Sequence, residues 1–205
     1  MSKLILSKHS QGRIRPTGLS LTSKNSVNVL VNKTIALRAP EPEDLDIMYL
    51  WENNTSIWRI SGTLVPFSKF ILKQYLENAG KDIFETKQLR LIIQLKTDSR
   101  PVGAIDLFDF DPFHKRAGIG ILIAEPSDRG KGYAREALAT LMDYCFTVLS
   151  LHQLYCNISS DNNESMKLFA AAGFTKVGEK KEWLLKGQKY ESEWLLQCLN
   201  SNPLF

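Results

Sequence analysis

Apolar positions along this 205-residue chain recur with two different periods, which predicts strands and helices interleaved along one domain. Apolar or alternating runs predict strands over residues 34–38, 88–96, 102–110, 115–124, 153–158, 174–177, 182–185 and 190–198. Apolar residues three or four positions apart predict one helix that opens at 40–45 and three more over 67–79, 134–149 and 162–172. A short helical piece is predicted at 56–60. The order indicates an α+β fold, with a mixed, mostly antiparallel central sheet of about seven strands and about four flanking helices.

Charge divides the chain into a basic extension and a nearly neutral body. Residues 1–33 show no sustained period and hold six basic and no acidic residues, so we expect a flexible extension, with a short strand at 27–31 as an option. The other 20 basic and 22 acidic residues leave the body at −2. We therefore expect one domain over 34–199 and a short tail at 200–205, and a nucleic-acid partner is not expected.

The cysteines and the hydropathy indicate a cytoplasmic protein. Cys145, Cys156 and Cys198 lie in apolar contexts and are not spaced as CxxC, which favours reduced, buried thiols over disulfides. No apolar run approaches the length of about 18 residues that spans a membrane, and no secretory signal is visible. Neither a membrane partner nor a bound metal is expected.

A glycine turn at Arg129–Ala134 joins an Ile-rich strand to the longest predicted helix. Free backbone N–H groups at the start of a helix, together with its dipole, make an anion site. Glycine allows a phosphate to approach the backbone, and Arg129 and Lys131 add charged donors. This pattern indicates a phosphate-bearing cofactor, and the alternative is a plain tight connection between strand and helix.

Three phosphate-binding motifs can be compared with this turn. A Walker A loop requires GxxxxGK[ST], which the chain lacks. A dinucleotide fingerprint requires GxGxxG, and Arg135 stands where its third glycine belongs. The coenzyme A loop of the Gcn5-related N-acetyltransferases (GNAT), written R/Q-x-x-G-x-G/A, matches at Arg129, Gly132 and Ala134.

The chain resembles the GNAT superfamily in a second motif as well. The family signature N-x-x-A/S-x-x-L-Y-x-x-x-G-F is similar to residues 162–174, which carry Asn162, Ser165, Leu168, Phe169, Gly173 and Phe174. The resemblance covers about residues 34–199. Residues 37–45, 114–117 and 142–149 are most similar to the ribosomal-protein and spermidine N-acetyltransferase branch.

This resemblance implies acetyl-CoA as co-substrate, with no metal. It implies a pyrophosphate on the glycine turn, pantetheine pairing along the strand before it, and a backbone N–H around residues 122–123 that polarises the acetyl carbonyl. An amine then attacks directly, without a covalent enzyme intermediate. The implied cofactor-binding residues are Ile121, Leu122, Ile123, Arg129, Gly130, Lys131, Gly132, Tyr133, Ala134, Asn162, Ser165 and Phe169.

Three acids are candidates for holding the amine. An alkylamine has a pKa of about 10, so only about one molecule in a thousand is nucleophilic at pH 7. Glu52, Asp106 and Asp109 could bind the ammonium form and relay its proton, although each could instead be a solvated surface acid. The expected acceptor is a small-molecule primary amine, a polyamine such as spermidine, or a protein N-terminus. The sequence leaves a homo-oligomer open.

Two departures from the family pattern concern the chemistry. Phe169 replaces the tyrosine whose hydroxyl protonates the leaving thiolate, so water, Tyr155, Tyr133 or Tyr190 would take that task, or the thiolate leaves unaided. Alternatively, the domain is a non-catalytic acyl-CoA sensor or interaction module. Gly118 and Gly120 stand where related enzymes often carry Glu, which weakens the transfer of a specific base and of polyamine specificity.

Overall fold

A computed structural model describes residues 30–61 and 63–201 of the chain. The predicted extension up to residue 29, most of the optional strand at 27–31, and residues 202–205 lie outside the described residues. The strands are β1 Ile35–Arg38, β2 Leu89–Leu95, β3 Pro101–Asp111, β4 Arg116–Ile123, β5 Gln153–Ser159, β6 Thr175–Lys186 and β7 Lys189–Leu199. The helices are α1 Leu45–Glu52, α2 Thr55–Ser61, α3 Lys69–Asn78, α4 Ile83–Thr86, α5 Tyr133–Thr147 and α6 Asn163–Ala171.

The seven strands form one sheet in the order β1-β2-β3-β4-β5-β7-β6. Every neighbouring pair is antiparallel except β4 and β5, which run parallel. The predicted α+β fold with a mixed, mostly antiparallel sheet is therefore confirmed.

Two details differ from the prediction. The strands predicted at 174–177 and 182–185 are one continuous strand, β6, because register shifts after Lys176 and Lys180 carry the intervening polar residues along the edge of the sheet. The described residues form six α-helices rather than about four. The unpredicted α4 spans only four residues, and a single turn is too short to show a helical period.

The core lies between the sheet and α5. The inner face of α5 carries Ala137, Leu138, Leu141 and Cys145, all with no exposed surface. Burying each leucine contributes about 1.5–3 kcal/mol. Because α5 packs on β4, the glycine turn that joins them is held at both of its ends. Within residues 30–61 and 63–201, no helix combines the length and hydropathy needed to cross a membrane.

Candidate active site

The parallel strands β4 and β5 separate partway along their length. They pair only where Arg116–Gly118 lies beside Gln153–Tyr155, yet β4 continues to Ile123 and β5 to Ser159. The facing edges of the two strands beyond this point are therefore open to other hydrogen-bonding groups. A cleft of about 660 Å³ occupies the separation.

Several predicted cofactor residues lie together on this cleft. Ile121 and Leu122 line it from β4, and Asn162, Ser165 and Phe169 line it from α6 and its N-cap. Asn162 is the N-cap of that helix, because its side-chain oxygen accepts a hydrogen bond of 3.1 Å from the Ser165 N–H. Ile123, the last residue of β4, adjoins the cleft but is not part of its lining.

The glycine turn lies between the end of β4 and the start of α5. Gly130 and Gly132 have φ angles of +74° and +87°, in the left-handed region that favours glycine. A Cβ added at either position would meet no atom within 4 Å, so the surface of the turn is open. Gly132 is the N-cap of α5 and contributes no side chain, which leaves the N–H groups of the first turn, from Tyr133 onward, free for a ligand. These features fit a pyrophosphate.

A buried carboxylate that the sequence analysis did not identify supports this turn. Asp128 accepts two hydrogen bonds from Arg100, of 2.7 and 3.0 Å, and one of 3.3 Å from Lys131. The hydrogen bonds from Arg100 have the largest effect and lower the pKa of Asp128. Burial opposes them, but Arg100 and Lys131 together outweigh it and bring the Asp128 pKa to about 2. Arg129 donates to the Ile123 and Ala124 carbonyls at 3.2 and 3.3 Å, so both predicted phosphate-binding side chains also hold the turn in shape.

The acidic side of the cleft is a triad built around Arg90. Its Nη1 lies 2.5 Å from Glu52 Oε1, and its Nε and Nη2 donate to the Asp106 carboxylate at 2.7 and 3.0 Å. Burial lowers the Arg90 pKa, but attraction to Asp106, their hydrogen bonds and attraction to Glu52 outweigh it and raise the pKa overall. The triad therefore keeps a net charge of −1. Sequence reasoning selected Glu52 and Asp106 and missed Arg90, a lone basic residue in an apolar strand.

Asp109 lies away from these acids. It belongs to the irregular part of β3 with a φ of +49°, and it accepts a 3.0 Å hydrogen bond from the Tyr155 hydroxyl. Burial and the bond to Asp109 raise the Tyr155 pKa to about 12. Neither residue is part of the cleft lining, so the structure does not bring them together with Glu52 and Asp106.

Hydroxyl groups are scarce where the family tyrosine would be. Phe169 is 3% exposed and packs edge-on against Phe174, with ring centroids 5.0 Å apart. Tyr133 and Tyr190 do not line the cleft, and Tyr190 is 60% exposed on β7. Within the described part of the chain, the hydroxyls that line the cleft are those of two serines, Ser159 and Ser165.

The two glycines of β4 have different surroundings. A Cβ on Gly118 would lie 2.2 Å from Cε2 of Phe108, so the Phe108 ring excludes any larger residue there. A Cβ on Gly120 would meet only Cε1 of Phe108, at 3.8 Å. Because Gly120 is the register partner of Asp106, this leaves open space beside the Asp106 carboxylate.

A split parallel strand pair next to a glycine turn at a helix start is the arrangement expected of an acyl-CoA-dependent transferase. The Acetyltransferase (GNAT) domain family matches residues 34–175, and the chain belongs to this family. It is an N-acetyltransferase with acetyl-CoA as co-substrate, which confirms the predicted family and activity. Within the described residues, no group of His, Cys, Asp and Glu could hold a metal ion.

The relatives include spermidine-acetylating enzymes. Spermidine N(1)-acetyltransferase of Vibrio cholerae is 28% identical over 177 residues, which cover 85% of this chain and 98% of that protein. The Escherichia coli K12 enzyme of the same name is 31% identical over 156 residues, covering 76% and 81%. Human alpha/beta-tubulin-N-acetyltransferase 9 is 35% identical over 106 residues, covering 49% of this chain and 51% of that protein.

Solved structures of the Vibrio cholerae enzyme have the same fold. Its complex with CoA and spermine superposes with a TM-score of 0.75 at 25% identity, covering 85% of this chain and all of that one. A dodecameric structure of the same enzyme superposes with a TM-score of 0.70 at 26% identity, covering 84% and 98%.

Proposed function

We propose that this protein transfers the acetyl group of acetyl-CoA to a primary amine of a polyamine such as spermidine. The observation that carries the proposal is the Glu52–Arg90–Asp106 triad, which puts a net negative charge in the cleft where β4 and β5 separate. A polyamine is a chain of ammonium groups, and a negative cleft attracts it. The spermidine N(1)-acetyltransferases among the relatives support the same acceptor.

In this proposal the chain's own groups hold the co-substrate in two places. The first-turn amides of α5 bind the pyrophosphate, on a turn that Asp128 and Arg129 keep in shape. The open edge of β4 at residues 121–123 hydrogen-bonds the pantetheine arm, with Asn162 on the opposite side. When bound, acetyl-CoA supplies the thioester carbonyl, and a backbone N–H around Leu122 polarises it.

The amine acceptor enters the cleft beside the Glu52–Arg90–Asp106 triad. Asp106 binds the ammonium over the open surface at Gly120, and water carries its proton away before the neutral amine attacks. Phe169 donates no proton, so the thiolate leaves with protonation by water. This is feasible because the pKa of a thiol is about 8.5.

The test is an acceptor screen that follows free CoA, with product masses as a second readout. The purified protein is incubated with acetyl-CoA and spermidine, spermine, putrescine or N-terminal peptides. We expect the highest kcat/KM for a polyamine and a product 42 Da heavier per acetyl group, a mass set by replacing one N–H hydrogen with an acetyl group. Absence of turnover on every polyamine, with intact acetyl-CoA binding, would reject the polyamine acceptor.

A protein N-terminus is the second candidate acceptor. Its basis is the similarity to human alpha/beta-tubulin-N-acetyltransferase 9, over about half of each chain. The peptide arm of the same screen distinguishes it, because a protein acceptor predicts a higher kcat/KM for an N-terminal peptide than for spermidine. A homo-oligomer and a cytoplasmic location remain predictions, and light scattering in solution tests the former.

A further inference from the structure

Arg90 lies on the side of the cleft where we propose that the amine acceptor binds. Its register partner on β3 is Asp106, whose partner on β4 is Gly120. The guanidinium, the carboxylate and the open space over Gly120 therefore follow one another across the sheet. From α1, Glu52 closes the other side of the guanidinium. The Tyr75 ring of α3 lies 5.7 Å from it.

The remaining charges around the cleft are paired with one another. Lys186 of β6 bonds to Asp161, and Glu193 of β7 bonds to Lys180 at 2.9 Å. The Cys156 thiol of β5 is neutral, since burial raises its pKa to about 12. Among the described residues that line the cleft, Arg90 is thus the cation that sets the charge of the Glu52 and Asp106 side.

We propose that Arg90 is a positioning residue that adjusts the charge of the acceptor subsite from −2 to −1, so that a bound ammonium can release its proton. This inference rests on the proposed function, since it concerns the amine that the function requires. Two unopposed carboxylates would bind an ammonium more tightly but would also hold it in the protonated, non-nucleophilic form. With Arg90 present, one negative charge remains to attract the substrate.

The proton balance shows where this charge acts. An ammonium, R–NH₃⁺, loses one proton to water before its nitrogen attacks the acetyl carbon. The C–N bond forms, the C–S bond breaks, and the nitrogen loses a second proton. One proton is taken up by the CoA thiolate and one is released to solvent. Arg90 affects the first loss, because its positive charge disfavours the cationic amine.

The expected size of the effect follows from Coulomb's law. A unit charge about 7 Å from the amine, at an effective dielectric constant of about 20–40, shifts the amine's titration by about one to two pH units. We therefore expect Arg90→Gln to move the rising limb of the kcat–pH profile upward by about one unit. The KM for spermidine should fall several-fold at pH 7, while kcat at that pH falls about tenfold.

Two further variants separate charge from structure. Glu52→Gln leaves the Arg90–Asp106 bonds in place and makes the triad neutral. The rising limb of the kcat–pH profile should therefore move to lower pH, and the spermidine KM should rise. The double variant Glu52→Gln with Arg90→Gln returns the triad to −1 and should return the limb to its wild-type position. A loss of packing or of geometry alone would not be reversed by removing a second group.

Arg38→Gln is the matched control. Arg38 makes a similar two-bond ion pair with Asp44, at 2.6 and 2.8 Å, but lies outside the cleft lining. It should lower stability without moving the limb. Measurements between pH 7 and 9.5 lie above the usual range of carboxyl groups, so the amine dominates the profile.

The outcomes are distinguishable. An unmoved limb in Arg90→Gln, or in Glu52→Gln if the former does not fold, would overturn the role of Arg90. A double variant that stays shifted would also overturn it. A wild-type protein that binds acetyl-CoA but acetylates no polyamine would instead reject the proposed function.

Discussion

The buried Asp128 carboxylate supports the glycine turn, so Asp128→Asn is the sharpest test of how the cofactor side is built. Asparagine has nearly the same shape but no charge and only one accepting oxygen. Of the two Arg100 hydrogen bonds of 2.7 and 3.0 Å, one is therefore lost and the other loses its ionic character. We expect a less stable protein at pH 7. The turn also positions the first-turn amides of α5, which we propose bind the pyrophosphate. We therefore also expect a higher KM for acetyl-CoA.

The magnitude follows from the pKa. A decrease from 3.8 to about 2 corresponds to about 2 kcal/mol. The side chains of Arg100 and Lys131 are 45% and 50% exposed, so water screens part of this attraction. We therefore expect Asp128→Asn to lower the free energy of unfolding by about 1–2 kcal/mol at pH 7.

The sign of the pH dependence is fixed by the direction of the shift. The folded-state pKa is below the unfolded one, so the stabilisation is complete above about pH 4 and is lost as the pH falls through about 2. Urea denaturation at pH 7, 4.5 and 3 should show the difference between wild type and variant shrinking to about half at pH 3. A difference that stays constant down to pH 3 would refute this account.

Asp98→Asn is the matched control for this experiment. Asp98 lies 3.9 Å from the same Arg100, but its side chain is 54% exposed. We expect a change below about 0.5 kcal/mol and no effect on the acetyl-CoA KM. If both variants lost the same stability, general charge balance rather than the buried contact would be responsible.

Three further predictions concern the glycine turn and the cleft. Gly132→Asp should raise the acetyl-CoA KM by at least tenfold, because it places a carboxylate against the pyrophosphate, whereas Gly187→Asp, at a φ of +63° in equally open space, should not. Asp106→Asn should raise the spermidine KM about tenfold and Asp109→Asn less than twofold, since only Asp106 lines the cleft; equal effects would contradict this. Phe169→Tyr should raise kcat several-fold with little change in either KM, and an unchanged kcat would show that the thiolate needs no acid there.

Features that depend on neighbours in the sequence were predictable. The positive φ angles at Gly130 and Gly132, the free first turn of α5 and the Asn162 cap each arise within a few residues, so the local pattern determines them. The glycine turn and the following helix were therefore predicted at the correct positions. The open surface above Gly132 agrees with the expectation that glycine at this turn leaves the backbone approachable.

Pairing between distant residues was decided by the tertiary structure. Arg90 lies 38 positions from Glu52 and 16 from Asp106, and Arg100 lies 28 from Asp128. Such contacts depend on strand register and on how α1 packs over the sheet, which hydrophobic periodicity does not specify.

The sequence by itself thus determined the fold class and the position of the glycine turn, because glycine conformation and helix capping are local effects. Only the tertiary structure decided which acids act together. Asp106 and Asp109 are three residues apart in β3, but the irregular backbone at Asp109 directs it to Tyr155, while Asp106 joins Glu52 through Arg90. The charge of a cleft depends on ion pairs formed across the sheet, and a list of acidic residues contains no information about their partners.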